Sequence, residues 1–210
     1  GPRGPFDGLF ETPLGRVRLI QPAGGGIRGT YAYGGVAGTL AGTVSGRTFA
    51  FEWKESAATG LGRFTLSADG RSFEGTWRIG KDGEEKPWNG TRVQPRPKVV
   101  WLMVLEAQWE QSLADQEYSF GAMLRAFFRR YPHVQVRQRR FGDRPDFLRA
   151  ASELTLLAEP VVLVVASHGE SGKLVAGNDR IDPKDLGNLL NDAPNVKALH
   201  FSSCEMMLGE

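Results

Sequence analysis

Pro160-Val-Val-Leu-Val-Val-Ala-Ser-His-Gly-Glu-Ser-Gly172 is an apolar run that stops abruptly at a histidine. Six of the seven residues before Ser167 are Val, Leu or Ala. The run is too short to span a bilayer and is rich in β-branched residues, which predicts a strand buried on both faces of a parallel sheet. A polar Ser-His-Gly at its end is site-like, because in open α/β sheets reactive groups gather beyond the carboxyl ends of the strands. Further on, Val196-Lys-Ala-Leu-His-Phe-Ser-Ser-Cys204 repeats the layout and ends on the only cysteine of the chain. Between the two runs, Asp182-Pro-Lys-Asp-Leu-Gly-Asn-Leu-Leu-Asn191 carries a helix start signal and apolar residues at helical spacing. The three pieces make a βαβ unit, and neighbouring strands would bring His168 and Cys204 out side by side on one edge of the sheet.

The chain has 210 residues, 40% of them hydrophobic, enough for one large domain or two small ones. Its formal charge of +2 is nearly balanced, so no general nucleic-acid binding is expected. A single cysteine excludes an internal disulfide and a cysteine-based zinc cluster. A lone thiol suits a reducing compartment, and a cytoplasmic location is expected. There is no signal peptide and no apolar run long enough for a membrane span. Gly1-Pro2 resembles the pair left when a protease removes a tag, so a removed leader stays open.

Twenty of the 27 glycines precede residue 97. Gly-Thr recurs at Gly29-Thr30, Gly38-Thr39, Gly42-Thr43, Gly75-Thr76 and Gly90-Thr91, beside alternating runs such as Thr48-Phe-Ala-Phe-Glu-Trp53. Residues 5–93 therefore read as an antiparallel all-β domain of roughly six to eight short strands, a small barrel or meander. Its texture alone resembles the Gly/Thr/Trp-rich repeats of lipocalin-like and avidin-like barrels, and no ligand is carried over. Trp53, Trp77 and Trp88 suggest a ligand platform, although inward aromatics at period two also fill a barrel. The glycine content leaves room for a ligand or a partner's backbone, so binding here stays open.

Residues 1–4 are leader, and the proline-punctuated Gln94-Pro-Arg-Pro-Lys98 is a stiff linker. Residues 99–210 alternate strand and helix: strands at 99–105, 134–140, 160–166 and 196–204, and helices at 119–131, 144–157 and 182–191. The order β-α-β-α-β-α-β predicts a mostly parallel sheet covered by helices. Arg137, Arg139 and Arg140 fit a solvated edge strand better than a nucleic-acid patch. His133, His168 and His200 lack zinc spacing, and Asp179, Asp182 and Asp185 are read as loop and helix-start acids rather than a calcium site. No metal or other cofactor is expected.

A thiolate nucleophile needs a base and donors for an oxyanion. His168 supplies the base for Cys204, and the backbone N–H groups of Gly169 and Cys204 supply the donors; no third catalytic member is evident. In this order and spacing, Ser167-His-Gly-Glu170, Gly172, Gly177-Asn-Asp179, Ile181-Asp182, Lys184 and Leu186, with Ser-Ser-Cys204-Glu, resemble the caspase-like cysteine peptidases. The likeness is closer to the bacterial caspase-like and CHAT-type members and covers roughly Pro97 to the end. The resemblance implies a caspase-like α/β fold, a catalytic His168 and Cys204, and hydrolysis of a peptide or protein substrate through an acyl-enzyme.

Two departures qualify it. Ser202 stands where caspases carry a pocket glutamine, and the loop after the first strand has no arginine but offers Glu106, Glu110, Asp115 and Glu117. Those acids suit an Arg or Lys at P1. An ordinary acidic surface loop is the alternative. The chain also stops at Glu210, six residues past Cys204, whereas the caspase-like fold continues. An incomplete C-terminus is therefore expected, completed by a small-subunit-like segment or partner chain. A terminus made at Glu210 by the protein's own kind would argue for an acidic P1 instead. The alternative function is a non-catalytic caspase-like scaffold or adaptor whose β-domain binds a partner or ligand.

Overall fold

The computed structural model describes residues 3–108, 110, 112–114 and 119–202. They fall into two compact units, Gly1–Gln94 and Pro95–Glu210.

The first unit is an antiparallel barrel. Its strands are β1 (Gly8–Thr12), β2 (Gly15–Ile20), β3 (Ile27–Tyr33), β4 (Val36–Ser45), β5 (Thr48–Lys54), β6 (Thr59–Leu66), β7 (Ser72–Ile79), β8 (Lys86–Pro87) and β9 (Gly90–Arg92). Sequential pairing runs from β1 to β7, and β9 bridges β7 to β1, so eight strands close the barrel while β8 only extends β7. Full closure leaves no edge to aggregate. Alternate residues point inward, as in the BeBeB burial of Phe49, Phe51 and Trp53 along β5.

The Gly-Thr repeat has a packing cause. Gly38 lies directly across from Tyr31, Gly42 and Gly62 flank Phe51, Gly60 faces Trp53, Gly75 faces Phe64 and Gly90 faces Phe73. A Cβ on Gly38, Gly60, Gly62, Gly75 or Gly90 would come within 2.7 Å of the opposing ring. Each of these five glycines thus gives its space to an aromatic side chain, while the space beside Gly42 is taken by the Ala50–Phe51 backbone. Most of the room that the glycines offer is filled by rings. Phe64 stacks on Phe73 at 3.9 Å, and Trp88 meets Phe51, Phe64 and Tyr31 edge-on. Trp88 also donates its indole N–H to Thr12 Oγ1 at 3.0 Å.

The second unit contains β10 (Val100–Ala107), α1 (Phe120–Phe128), β11 (Val134–Phe141), α2 (Arg144–Glu153), β12 (Val161–Ala166), β13 (His168–Glu170), β14 (Lys173–Ala176), β15 (Asp179–Ile181), α3 (Pro183–Leu190) and β16 (Val196–Ser202). Four strands form a wholly parallel sheet in the order β11-β10-β12-β16. Phe120, Leu124 and Phe128 of α1 pack on Leu102, Val104, Val136 and Val164. Phe147, Ala150 and Ala151 of α2 and Leu186 of α3 belong to the core around Leu105, Leu163 and Val165. The alternating neighbours Val104 and Leu105, or Val164 and Val165, therefore enter different cores. Each helix starts on a side-chain cap: Ser119, Asp143 and Asp182 accept from the N–H of Ala122, Asp146 and Lys184. No helix among the described residues is long and apolar enough to cross a membrane.

The stretch 94–98 is only partly a spacer. Arg96 binds the buried Glu159 carboxylate at 2.6 Å, Trp101 donates its indole N–H to the same carboxylate at 2.9 Å, and the Arg96 guanidinium lies over the Trp101 ring. Burial pushes the Glu159 carboxyl up, but the hydrogen bonds from Arg96 and Trp101 outweigh it and hold the group down at about 2.

Two outcomes follow. Gly42→Ala puts a methyl 1.9 Å from the Ala50 carbonyl oxygen, which cannot move without the sheet. It should lower unfolding free energy by about 1–3 kcal/mol in a urea melt, whereas outward-facing Thr43→Ala should change it by less than about 0.5 kcal/mol; equal effects would contradict the close backbone approach at Gly42. Because the folded Glu159 pKa lies below its unfolded value of about 4.3, its contribution is present above that pH and is lost as pH falls toward about 2. Urea midpoints should therefore fall less steeply with acidification in Glu159→Gln than in the parent chain.

Candidate active site

Leaving β10, the chain first goes outward to β11 and then returns to the other side of β10 to form β12 and β16. The reversal point lies between β10 and β12, the position at which open α/β sheets commonly hold their ligands. His168 stands there, immediately after Ala166-Ser167 at the end of β12. Strand β16 is the parallel neighbour of β12, with Ala166 in register with Ser202. His168 and Cys204 are each two positions past that aligned pair in sequence. Cys204 itself lies outside the described residues.

His168 is exposed but does not sit in a loose loop. It opens a three-stranded antiparallel meander, β13-β14-β15, in which it pairs with Val175. Ser171 and Gly172, both with positive φ (51° and 75°), make the tight turn from β13 to β14. Such a two-residue turn needs left-handed backbone at both positions, which is why glycine stands at 172. Glu170 and Lys173 flank that turn as the hydrogen-bonded pair, so the next pair, Gly169 and Leu174, is the non-hydrogen-bonded one. The Gly169 N–H accordingly points away from β14. Leu174, Ala176 and Ile181 anchor the meander in the core of the second unit. Buried Ser167 fixes the approach: its hydroxyl donates to the His168 carbonyl at 2.8 Å and its N–H points to the Ser202 carbonyl at 3.4 Å. Nothing in the sequence beyond its place next to His168 marked Ser167 for that task.

The other anticipated residues have more varied places. Ser202 is half-buried at the end of β16. Glu106, expected among the pocket acids, is fully buried. Its oxygens accept from the N–H groups of Phe120 (2.6 Å) and Gly121 (3.3 Å), from the Ser119 hydroxyl (3.3 Å) and from the Gln138 amide (2.5 Å). It thus satisfies the first turn of α1 and complements its dipole instead of facing a substrate. A Cβ at Gly121 would meet the Gln138 side chain at 2.6 Å, so a larger residue there would push Gln138 from its place against Glu106. Glu110 pairs with Arg140 at 3.2 Å. Asp115 and Glu117 lie outside the described residues. Of the acids weighed for calcium, Asp179 accepts from the Arg144 N–H, Asp185 pairs with the Arg144 side chain and Asp182 caps α3.

No protein-family model matches the chain, and no curated protein matches it.

Removing the acceptor at 106 leaves buried donors unpaired, each worth about 1–3 kcal/mol. Glu106→Ala should lower the urea midpoint and accelerate amide hydrogen exchange at Phe120 and Gly121. Unchanged exchange at those two amides would contradict the capping role.

Proposed function

We propose that the second unit is a caspase-like cysteine endopeptidase in which Cys204 is the nucleophile and His168 the base. The observation that carries this reading is the register of β12 and β16: Ala166 and Ser202 are an aligned pair of these neighbouring parallel strands, and in sequence each chemical residue follows its member of the pair by two positions. The sequence motif around them supports it, and so do the strand reversal between β10 and β12 and the placement of His168 on a paired meander.

In this reading His168 accepts the thiol proton as Cys204 Sγ attacks the peptide carbonyl carbon. The carbonyl π electrons move to oxygen, and the N–H groups of Gly169 and Cys204 stabilise the resulting oxyanion. Collapse breaks the C–N bond, and the amine leaves with the proton held by His168. Water, deprotonated by His168, then attacks the thioester and releases the acid and the thiolate. With Glu106 and Glu110 engaged elsewhere, Asp115 and Glu117 are the acids left to meet an Arg or Lys at P1. Strand β16 pairs only with β12 among the described residues, and Lys197, Ala198, Leu199 and His200 along it are exposed. A small-subunit-like segment or partner chain beside it would complete the cleft. The second reading, a scaffold whose β-domain does the binding, is favoured by the aromatic cavity of the barrel described below.

The test is intact-mass analysis after incubation with acyloxymethyl-ketone peptides bearing Arg, Lys, Asp or Leu at P1. A single adduct on Cys204 is expected with Arg or Lys, absent in Cys204→Ala and formed about 10²–10⁴ times more slowly in His168→Ala. Labelling at equal rates with and without His168 would remove the dyad. No labelling by any peptide, even with a longer chain, would favour the scaffold.

A further inference from the structure

One end of the barrel, where the turns β1–β2, β3–β4 and β5–β6 lie, is not filled. A cavity of about 240 Å³ opens there, lined chiefly by Tyr31, Tyr33, Trp53, Trp77, Trp88 and Glu55. Trp53 and Trp77 stand nearly perpendicular at 5.7 Å, as do Tyr31 and Trp88 at 5.3 Å, so aromatic walls meet the cavity in more than one orientation. Tyr33 is 55% exposed and forms part of the rim.

Of the five hydrogen-bond donors on the lining rings, those of Tyr31, Trp53 and Trp88 are spent inside the protein, leaving those of Trp77 and Tyr33. The indole N–H of Trp53 is spent on the Arg78 carbonyl at 3.1 Å, and that of Trp88 on Thr12. The Tyr31 hydroxyl donates to Glu55 Oε1 at 2.6 Å. Burial, reinforced by that hydrogen bond, pushes the Tyr31 hydroxyl well up, so it remains a neutral donor. These three buried donors are therefore unavailable to an anion or a sugar. Glu55 is the one carboxylate of the lining, and its Oε2 has no hydrogen-bond or ion-pair partner among the described residues.

We propose that this cavity binds a small organic cation of the quaternary-ammonium class, held over the indole and phenol rings and balanced by Glu55. Aromatic faces attract a cation through their quadrupole, and a trimethylammonium group offers a diffuse charge on an apolar surface, which needs no hydrogen-bond donor from the site. Trp77 already accepts one cation within the protein: the Lys86 ammonium lies 5.5 Å from its ring centroid, although Lys86 does not line the cavity. The volume lies below the range of about 300–1,000 Å³ usual for drug-sized ligands, which favours a head group over a larger molecule. This site is independent of Cys204 and His168.

The experiment is isothermal titration of the full chain, carrying Cys204→Ala to silence any peptidase, with choline and with its neutral isostere 3,3-dimethylbutanol. Choline should saturate one site and bind about three to thirty times more tightly than the alcohol, the factor expected of a desolvated cation–π contact. Glu55→Gln keeps an acceptor for Tyr31 and should weaken choline by a similar factor while leaving the melting curve unchanged. Tyr33→Ala, at the exposed rim, should also weaken it. A third arm, an Nε-trimethyllysine amide, distinguishes sources: tighter binding than choline assigns a methylated side chain, and weaker binding a free cation. Absence of saturable binding by any quaternary ammonium, equal affinity for the alcohol, or indifference to both substitutions would overturn the proposal.

Discussion

Burial of β12 on both faces is the constraint from which the second unit follows. Val161–Ala166 has no polar side chain to turn toward water on either side, so helices must cover the sheet above and below. Parallel neighbours joined through helices satisfy that demand, and they place every strand's carboxyl end on the same edge. The chain can put exposed His168 and half-buried Ser202 at that edge because the floor beneath them is already complete. Ser167 is the transition between the two regimes: buried, yet polar, it is satisfied by the backbone carbonyls of His168 and Ser202.

The barrel solves a different problem. A small closed sheet has too little interior for a ring at every inward position, and this sequence alternates rings with glycines across strand pairs. Five aromatic side chains are seated in this way, and together they account for the tight aromatic stack in the barrel interior. At the end bearing Tyr33 and Trp77, the rings line a space instead of filling it. Packing and binding capacity are thus two ends of the same aromatic column.

Much of this was legible in the sequence. The long apolar runs, the alternating barrel strands, the three helical stretches and the start signal at Asp182-Pro183 carry local signals strong enough to survive tertiary context. The arginines at 137, 139 and 140 lie on the edge strand β11, where Arg137 sits over Trp101 and the other two pair with Glu153 and Glu110. The meander β13-β14-β15 was not legible, because strands of three or four residues show no periodicity and its glycines read equally well as motif positions. Glu106 was read as a pocket acid because its partners, Ser119, Phe120, Gly121 and Gln138, come from two elements that only the folded sheet brings to it. The glycines of the barrel were counted as open space for the same reason: the rings that occupy that space stand on neighbouring strands.

The central claim is that His168 and the only cysteine of the chain act on one another, and the pH dependence of alkylation measures that contact without needing a substrate. The rate of carboxamidomethylation by iodoacetamide, followed by intact mass, reports the thiolate fraction of Cys204 alone. The account predicts appreciable reaction well below the free-thiol pKa of about 8.5 in the parent chain, and a profile that moves up to that value in His168→Ala. Superimposable profiles in the two proteins, both centred on the free-thiol value, would contradict it.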